Sequence, residues 1–160
     1  MIIFVTVGGQ LPFDRLVRTV DDWAAGNNTA QVFAQVGKSD YEGNHIETTQ
    51  FLRPDEFDSR MRGADVIVAH AGMGTILTAL EYQKTIVVMP RRAELGEHRN
   101  EHQLATARNF REMGTIEVAM DDTELTATLS QAGSLDSASK IGPHASDSLL
   151  SALRTFVNER

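Results

Sequence analysis

The 160-residue sequence contains no cysteine, and only 6% of its residues are aromatic. Disulfide bonds and thiolate metal sites are therefore excluded. No apolar run approaches the roughly 20 residues that a membrane-spanning helix needs. The first residues, 1–5, predict a strand rather than a signal peptide, because no basic segment precedes them. We therefore expect a cytoplasmic protein.

Positive charge is also scarce, since 15 Lys and Arg against 22 Asp and Glu give a net charge of -7. This balance argues against general nucleic-acid binding, and it means that an anionic ligand needs a locally positive site. The length of 160 residues and the hydrophobic fraction of 41% fit a single globular domain over residues 1–160.

Several motifs that would indicate a particular ligand or reaction are missing. The dinucleotide fingerprint G-x-G-x-x-G, the P-loop, the G-x-S-x-G elbow and the zinc motif H-E-x-x-H do not occur. His98, Glu101 and His102 lie close together, but their order differs from the zinc motif and Arg99 would oppose a cation. We predict neither a metal site nor a cofactor.

What the sequence does contain is a regular alternation of short β-branched runs and helical patterns, typical of a parallel sheet with helices on both faces. We predict a three-layer, Rossmann-like α/β fold. The predicted strands cover residues 2–7, 30–36, 45–49, 65–69, 85–89 and 115–119. The predicted helices cover residues 13–25, 54–62, 74–82, 100–112, 123–131 and 145–158, with a loop over 132–144.

Ligands of such sheets bind beyond the carboxyl ends of the strands, and four segments there are unusual. They are residues 6–9, 35–38, 70–75 and 90–103. In the third, Gly72 and Gly74 precede a helix whose free N–H groups suit a phosphate. A tight turn that needs glycine only for packing explains that segment alone equally well, and ordinary loops remain the alternative for the first two.

The segment 90–103 is the densest, with three Arg, two His, three acids, an Asn and a Gln. Arg binds phosphate through a planar fork, and acids and amides bind sugar hydroxyls. A solvated loop is the alternative, but its place after a strand favours a binding role. We expect Trp23 and the Phe residues in the core, with the exception of Phe51, which falls in the loop before the helix that begins at Pro54.

These segments together resemble the C-terminal, donor-binding half of family 28 glycosyltransferases over roughly residues 1–120. The resemblance is strongest to small stand-alone subunits of that family, which act in dolichol-linked glycan and bacterial exopolysaccharide synthesis. It is carried by residues 4–8, 13–17, 35–37, 64–75, 88–91 and 100–105, with His70-Ala71-Gly72-Met73-Gly74-Thr75 as the most specific element.

The resemblance implies half of a GT-B enzyme that transfers a sugar from a UDP-sugar with inversion. A separate, membrane-anchored subunit would bind the acceptor and supply the base that activates it. This chain would then lie at the inner face of the membrane through its partner, and in isolation it would bury its docking surface as a homodimer.

The resemblance also assigns roles to residues. Catalytic roles fall to His70, Glu101 and His102. It implies that the diphosphate and the sugar of the donor are bound by Thr6, Gly8, Gly9, His70, Gly72, Met73, Gly74, Thr75, Arg91, Glu101, His102 and Gln103. It implies that the nucleoside is bound by Gln35, Gly37, Phe51 and Thr78. Because Thr78 replaces a Glu that binds ribose in many relatives, a non-catalytic nucleotide-sugar-binding or regulatory module is the alternative.

Overall fold

The computed structural model describes residues 1–132, in which six strands alternate with five α-helices. The strands are β1 (Ile2–Thr6), β2 (Gln31–Gln35), β3 (Glu47–Thr49), β4 (Val66–His70), β5 (Thr85–Met89) and β6 (Glu117–Val118). The helices are α1 (Asp14–Ala25), α2 (Pro54–Gly63), α3 (Met73–Glu81), α4 (His102–Met113) and α5 (Asp122–Ala132), and a short 3-10 helix covers Ala93–Leu95.

All six strands of this range are parallel and form one sheet in the order β3-β2-β1-β4-β5-β6. After β1, the strands β2 and β3 are added on one side of it. The chain then crosses over, and β4, β5 and β6 are added on the other side. This reversal makes the carboxyl ends of β1 and β4 the topological switch point, where Rossmann-like sheets form the crevice that binds ligands. The predicted Rossmann-like fold is confirmed.

The four central strands, β1, β2, β4 and β5, are largely buried on both faces, and successive side chains point to opposite sides of the sheet. In β1, Ile3 and Val5 belong to the apolar cluster that α1 and α5 cover. Phe4, between them, belongs to the cluster that α2, α3 and α4 cover. The sheet is therefore the middle layer of three, as the sequence predicts.

The predicted elements within residues 1–132 all occur, and their ends lie within two residues of those predicted. Gly114 follows α4 in the left-handed conformation, with φ of 62°, which is typical of a glycine at the end of a helix. The 3-10 helix at Ala93–Leu95 falls between the predicted strand 85–89 and the predicted helix 100–112, where the sequence predicts no regular element. Of the predicted loop 132–144, only Ala132 is described, as the last residue of α5. The rest of that loop and the predicted helix 145–158 lie outside the described residues. No helix between residues 1 and 132 has the length and apolarity to cross a bilayer.

A buried carboxylate ties the connection between β2 and β3 to α1. Asp21, 1% exposed, accepts hydrogen bonds from the Tyr41 hydroxyl (2.8 Å) and from the backbone N–H groups of Asn44 (2.8 Å) and His45 (2.7 Å). Burial alone raises the pKa of this carboxyl, but the three hydrogen bonds outweigh it and the pKa falls below its ordinary value. Burial and the bond to Asp21 raise the pKa of Tyr41 to about 12.

Candidate functional site

The loop after β4 leads directly into α3, whose first turn faces the carboxyl edge of the sheet. The first amide of this turn to bond within the helix is that of Ile76, which donates to the Gly72 carbonyl at 3.1 Å. The N–H groups of Met73, Gly74 and Thr75 have no acceptor among residues 1–132, and no side chain caps the helix. This turn therefore presents three N–H donors and the positive end of the helix dipole.

His70, the last residue of β4, lies between two glycines. A β-carbon at Gly72 would lie 2.0 Å from Cε1 of His70, and one at Gly8 would lie 2.7 Å from Nε2. Gly8 also has a φ of +75°, which side chains rarely adopt. Both glycines were predicted to make room for a ligand, but the space that they leave is occupied by the imidazole.

Gln103 contacts the other side of this imidazole. Its Oε1 accepts a hydrogen bond from the Arg91 backbone N–H at 3.2 Å, and its Nε2 lies 3.2 Å from Nδ1 of His70. Burial, together with the positive charges of Arg91 and His98, lowers the pKa of His70 to about 4. His70 is thus neutral at physiological pH.

Thr6, Gln35 and Gly37 form the floor beside Gly8. The Thr6 hydroxyl donates to Oε1 of Gln35 at 2.7 Å, and both side chains are buried. A β-carbon at Gly37 would lie 3.1 Å from the Gly8 carbonyl oxygen. Gln35 and Gly37 were predicted to contact a nucleoside, but here they pack against the loop that follows β1.

Arg91 departs from its predicted role as a phosphate ligand. It is 2% exposed, and its guanidinium donates to the carbonyl oxygens of Val7 (2.6 Å), Leu11 (2.7 Å) and Pro12 (2.5 Å). The ring of Phe13 lies 4.8 Å below it. Because these carbonyls occupy the guanidinium, Arg91 holds the loop after β1 in place instead of facing the crevice. Burial lowers its pKa to about 10, so it remains charged at neutral pH.

Arg15 and Glu97 reinforce this arrangement, and sequence reasoning missed them. Nε and Nη2 of Arg15 lie 2.7 Å and 2.9 Å from the two carboxylate oxygens of Glu97. The same carboxylate accepts the Arg92 backbone N–H at 2.9 Å. The pair joins the start of α1 to the loop after β5, and 82 residues separate its members, so no local pattern signals it.

Of the remaining candidates, Glu101 and His102 are exposed at the start of α4, one strand beyond the α3 turn. Glu101 accepts the Ala93 backbone N–H at 3.0 Å. Gly9 is exposed next to Gly8. The hydroxyl of Thr78 donates to the Gly74 carbonyl at 2.9 Å, inside α3.

Phe51 lies apart from this group, beyond the carboxyl end of β3, and is 52% exposed. A polar groove of about 270 Å³ opens at the ends of β2 and β3, and the residue that precedes Phe51 is part of its lining. Its lining includes Asp40, Thr49 and Gln50, none of which the sequence singled out. An aromatic ring and a groove with hydroxyl and carboxylate groups therefore stand at the far end of the same sheet edge.

Within residues 1–132, no group of three or more His, Asp or Glu side chains is placed so that it could hold a metal ion. The chemistry available at the crevice is hydrogen-bond donation. Its donors are the first-turn N–H groups of α3, which lie close in the chain to the imidazole of His70. This arrangement suits a ligand with anionic oxygens.

The sequence matches the glycosyltransferase family 28 C-terminal domain over residues 2–141. It is 29% identical over 113 residues to the UDP-N-acetylglucosamine transferase subunit ALG13 of Yarrowia lipolytica (strain CLIB 122 / E 150). The match covers 63% of this chain and 58% of that protein, so the chain spans less than two thirds of its curated relative.

Solved structures share the fold. The glycotransferase of kitacinnamycin has a TM-score of 0.66 at 21% identity, over 96% of this chain and 38% of that one. The solution structure of ALG13 has a TM-score of 0.57 at 19% identity, over 83% of this chain and 85% of that one. A putative UDP-N-acetylglucosamine 2-epimerase from Listeria monocytogenes has a TM-score of 0.65 at 11% identity, over 99% and 46%. At these identities the likeness concerns the fold alone.

Proposed function

Because this chain belongs to the glycosyltransferase family 28 C-terminal domain family, we propose that it binds the UDP-sugar donor of an inverting glycosyltransferase. A hexosyl or N-acetylglucosaminyl group would pass to a lipid-linked or polysaccharide acceptor. One observation carries the proposal. The free N–H groups of Met73, Gly74 and Thr75 lie beside His70 at the crevice between β1 and β4.

The diphosphate is the part of the donor that this geometry suits best. Its oxygens would accept the first-turn N–H groups of α3, where the helix dipole favours negative charge. When the bond from the sugar to the diphosphate breaks, the leaving UDP gains charge, and these hydrogen bonds strengthen. Donors that bind the leaving group more tightly in the transition state than in the ground state lower the barrier.

The rest of the donor would lie along the same edge. Glu101 and His102, exposed at the start of α4, would contact sugar hydroxyls on one side of the diphosphate. Phe51 would stack on the base on the other side, with the polar groove beside it. Strands about 4.8 Å apart put β3 and β4 about 14 Å apart at this edge, since three intervals separate them. A nucleoside diphosphate extends along such a distance.

The acceptor would come from a second protein. The curated relative is described as a transferase subunit, which supports an obligate partner. On this proposal a membrane-anchored partner binds the acceptor and holds the base. The acceptor hydroxyl attacks the anomeric carbon, its proton passes to that base, and UDP departs from the opposite face. This chain would be peripheral to the inner face of the membrane through that partner.

Calorimetric titration with UDP-N-acetylglucosamine tests the proposal on the wild type and on Gly74→Asp and Gly74→Asn. The two substituents are nearly equal in size, so they differ mainly in charge. A carboxylate at a helix N-terminus is compatible with the fold, and circular dichroism would verify this. We expect Gly74→Asp to weaken binding at least about tenfold more than Gly74→Asn. No binding to the wild type at millimolar ligand, or equal losses in both variants, would contradict the proposal.

A non-catalytic nucleotide-sugar-binding module is the second candidate, and Thr78 favours it. Its hydroxyl is occupied by the Gly74 carbonyl, and it carries no carboxylate for ribose hydroxyls. Co-expression with candidate acceptor subunits discriminates the two functions. Sugar transfer that needs both chains supports the enzyme, whereas donor binding without transfer in every pairing supports the module.

A further inference from the structure

We infer that Gln103 is a positioning residue, which holds the imidazole of His70 in the tautomer that carries its proton on Nε2. The inference rests on the proposed function, in which that proton is donated to the diphosphate. It differs from the role that the resemblance implies for Gln103, which is contact with the donor sugar. Gln103 is 9% exposed, and both ends of its amide are occupied within the protein.

The orientation of the Gln103 amide follows from its first partner. The backbone N–H of Arg91 can only donate, so the amide oxygen must face it. The amide nitrogen then faces His70, where it can only donate to Nδ1. Nδ1 must therefore be unprotonated, and the single proton of a neutral imidazole lies on Nε2.

The surroundings of His70 keep the ring neutral, so it carries a single proton, on one of its two nitrogens. The ring is enclosed by Gly8 and Gly72, and the buried guanidinium of Arg91 contributes positive charge nearby. Within residues 1–132, the other groups acting on it are His98, whose charge also disfavours protonation, and Gln103. No residue in that range accepts a hydrogen bond from Nε2, which leaves this donor for a ligand.

This geometry has a consequence for binding. A neutral Nε2–H donates at any pH above the range in which the ring gains a second proton. Donor affinity is then independent of pH near neutrality, whereas an exposed histidine, with a pKa of about 6.5, would bind an anion more weakly as the pH rises. UDP-N-acetylglucosamine is the suitable probe, because its diphosphate is esterified at both ends and has no proton to lose in this range.

Gln103→Glu is the informative variant, because it keeps the size of the side chain and changes its hydrogen bonding and its charge. One carboxylate oxygen would still accept the Arg91 N–H, and the other would face Nδ1. Since a carboxylate can only accept, Nδ1 would take the proton, and the doubly protonated ring would persist to higher pH. Gln31→Glu is the matched control, since Gln31 is exposed at the start of β2, on the opposite edge of the sheet.

The tautomer is measured first, in the free protein, by long-range proton–nitrogen correlation spectra of His70. We expect the proton on Nε2 in the wild type and in Gln31→Glu, and on Nδ1 in Gln103→Glu. A proton on Nδ1 in the wild type, or an unchanged ring in a folded Gln103→Glu, would overturn the inference. This measurement does not depend on donor binding.

Binding is measured second. Between about pH 6 and pH 8 we expect the affinity of the wild type and of Gln31→Glu for UDP-N-acetylglucosamine to change less than about twofold, and that of Gln103→Glu to fall about tenfold. Equal pH profiles for Gln103→Glu and the wild type would overturn the positioning role. Absence of binding to the wild type, with the expected tautomers, would instead refute the proposed function and leave only the tautomer assignment standing.

Discussion

A β-carbon on Gly72 would lie 2.0 Å from Cε1 of His70, well inside van der Waals contact. We expect Gly72→Ala to displace the imidazole, to lower the free energy of unfolding by about 1–3 kcal/mol, and to weaken UDP-sugar binding through loss of the Nε2 donor. Urea unfolding and calorimetry measure the two effects.

Gly74→Ala is the matched control, because a β-carbon at Gly74 meets nothing within 4 Å. Alanine in a helical position restricts the unfolded chain, so this change should raise the free energy of unfolding by up to about 1 kcal/mol. Equal destabilisation by the two substitutions would show that the close approach of Gly72 to His70 is unimportant.

The second prediction concerns Arg91→Lys. An ammonium cannot reproduce the planar fork that bonds three carbonyl oxygens of the loop after β1. Buried carbonyls would lose their donors, and we expect a loss of about 2–4 kcal/mol in the free energy of unfolding. Arg99→Lys, at an exposed position of the same connection, should change it by less than about 0.5 kcal/mol. Similar effects at both positions would refute a structural role for Arg91.

The third prediction concerns pH. Since the pKa of Asp21 is lower in the folded protein than in the unfolded chain, its stabilisation is present above the unfolded pKa of about 3.9 and is lost as the pH falls through the folded value. Asp21→Asn should cost about 2 kcal/mol at neutral pH, and its deficit relative to the wild type should shrink below about pH 4.

Urea midpoints of both proteins across this range measure the difference. Asp22→Asn, at the exposed neighbouring position, should change the neutral-pH free energy of unfolding by less than about 0.5 kcal/mol. A deficit of Asp21→Asn that stays constant down to pH 2 would contradict the assignment of its stabilising effect to the ionised carboxylate.

The fourth prediction separates binding from stability at Phe51. Because this ring is half exposed and lies outside both core clusters, Phe51→Ala should leave the free energy of unfolding within about 0.5 kcal/mol of the wild type. If the ring stacks on the base, the affinity for UDP-N-acetylglucosamine should fall about tenfold. Met113→Ala, exposed at the other edge of the sheet, should leave the affinity unchanged. Unchanged affinity in Phe51→Ala would remove the ring from the donor site.

The fold was predictable because its signals are local. The β-branched runs before Thr6 and His70, and the glycines that end α1 and α4, are read from neighbouring residues. The short 3-10 helix at Ala93–Leu95 escaped prediction because its segment is polar and its shape depends on contacts of Glu97 with Arg15 and with the Arg92 N–H.

The site was less predictable because side chains find their partners across the chain. Arg91 bonds carbonyls about 80 residues away, and a backbone carbonyl has no signature in a sequence. Gln103 was expected to face the sugar, since a sequence gives a residue's position on α4 but not the N–H group that meets its amide oxygen. Glycines were expected near the ligand, but only the folded structure distinguishes Gly72, which faces the His70 ring, from Gly74, which faces open space.

The separation of contacting residues along the chain also determines when the proposed donor site could first form during synthesis. Arg91 follows the carbonyl of Val7 by 84 residues, and Gln103 follows His70 by 33. At about 5–20 residues per second, the loop after β1 leaves the ribosome seconds before the side chains that hold it. A nascent chain that stops short of α4 would contain Gly8 and His70 but not Gln103, whose amide we infer sets the proton of His70, so the proposed site could form only after both halves of the sheet have emerged.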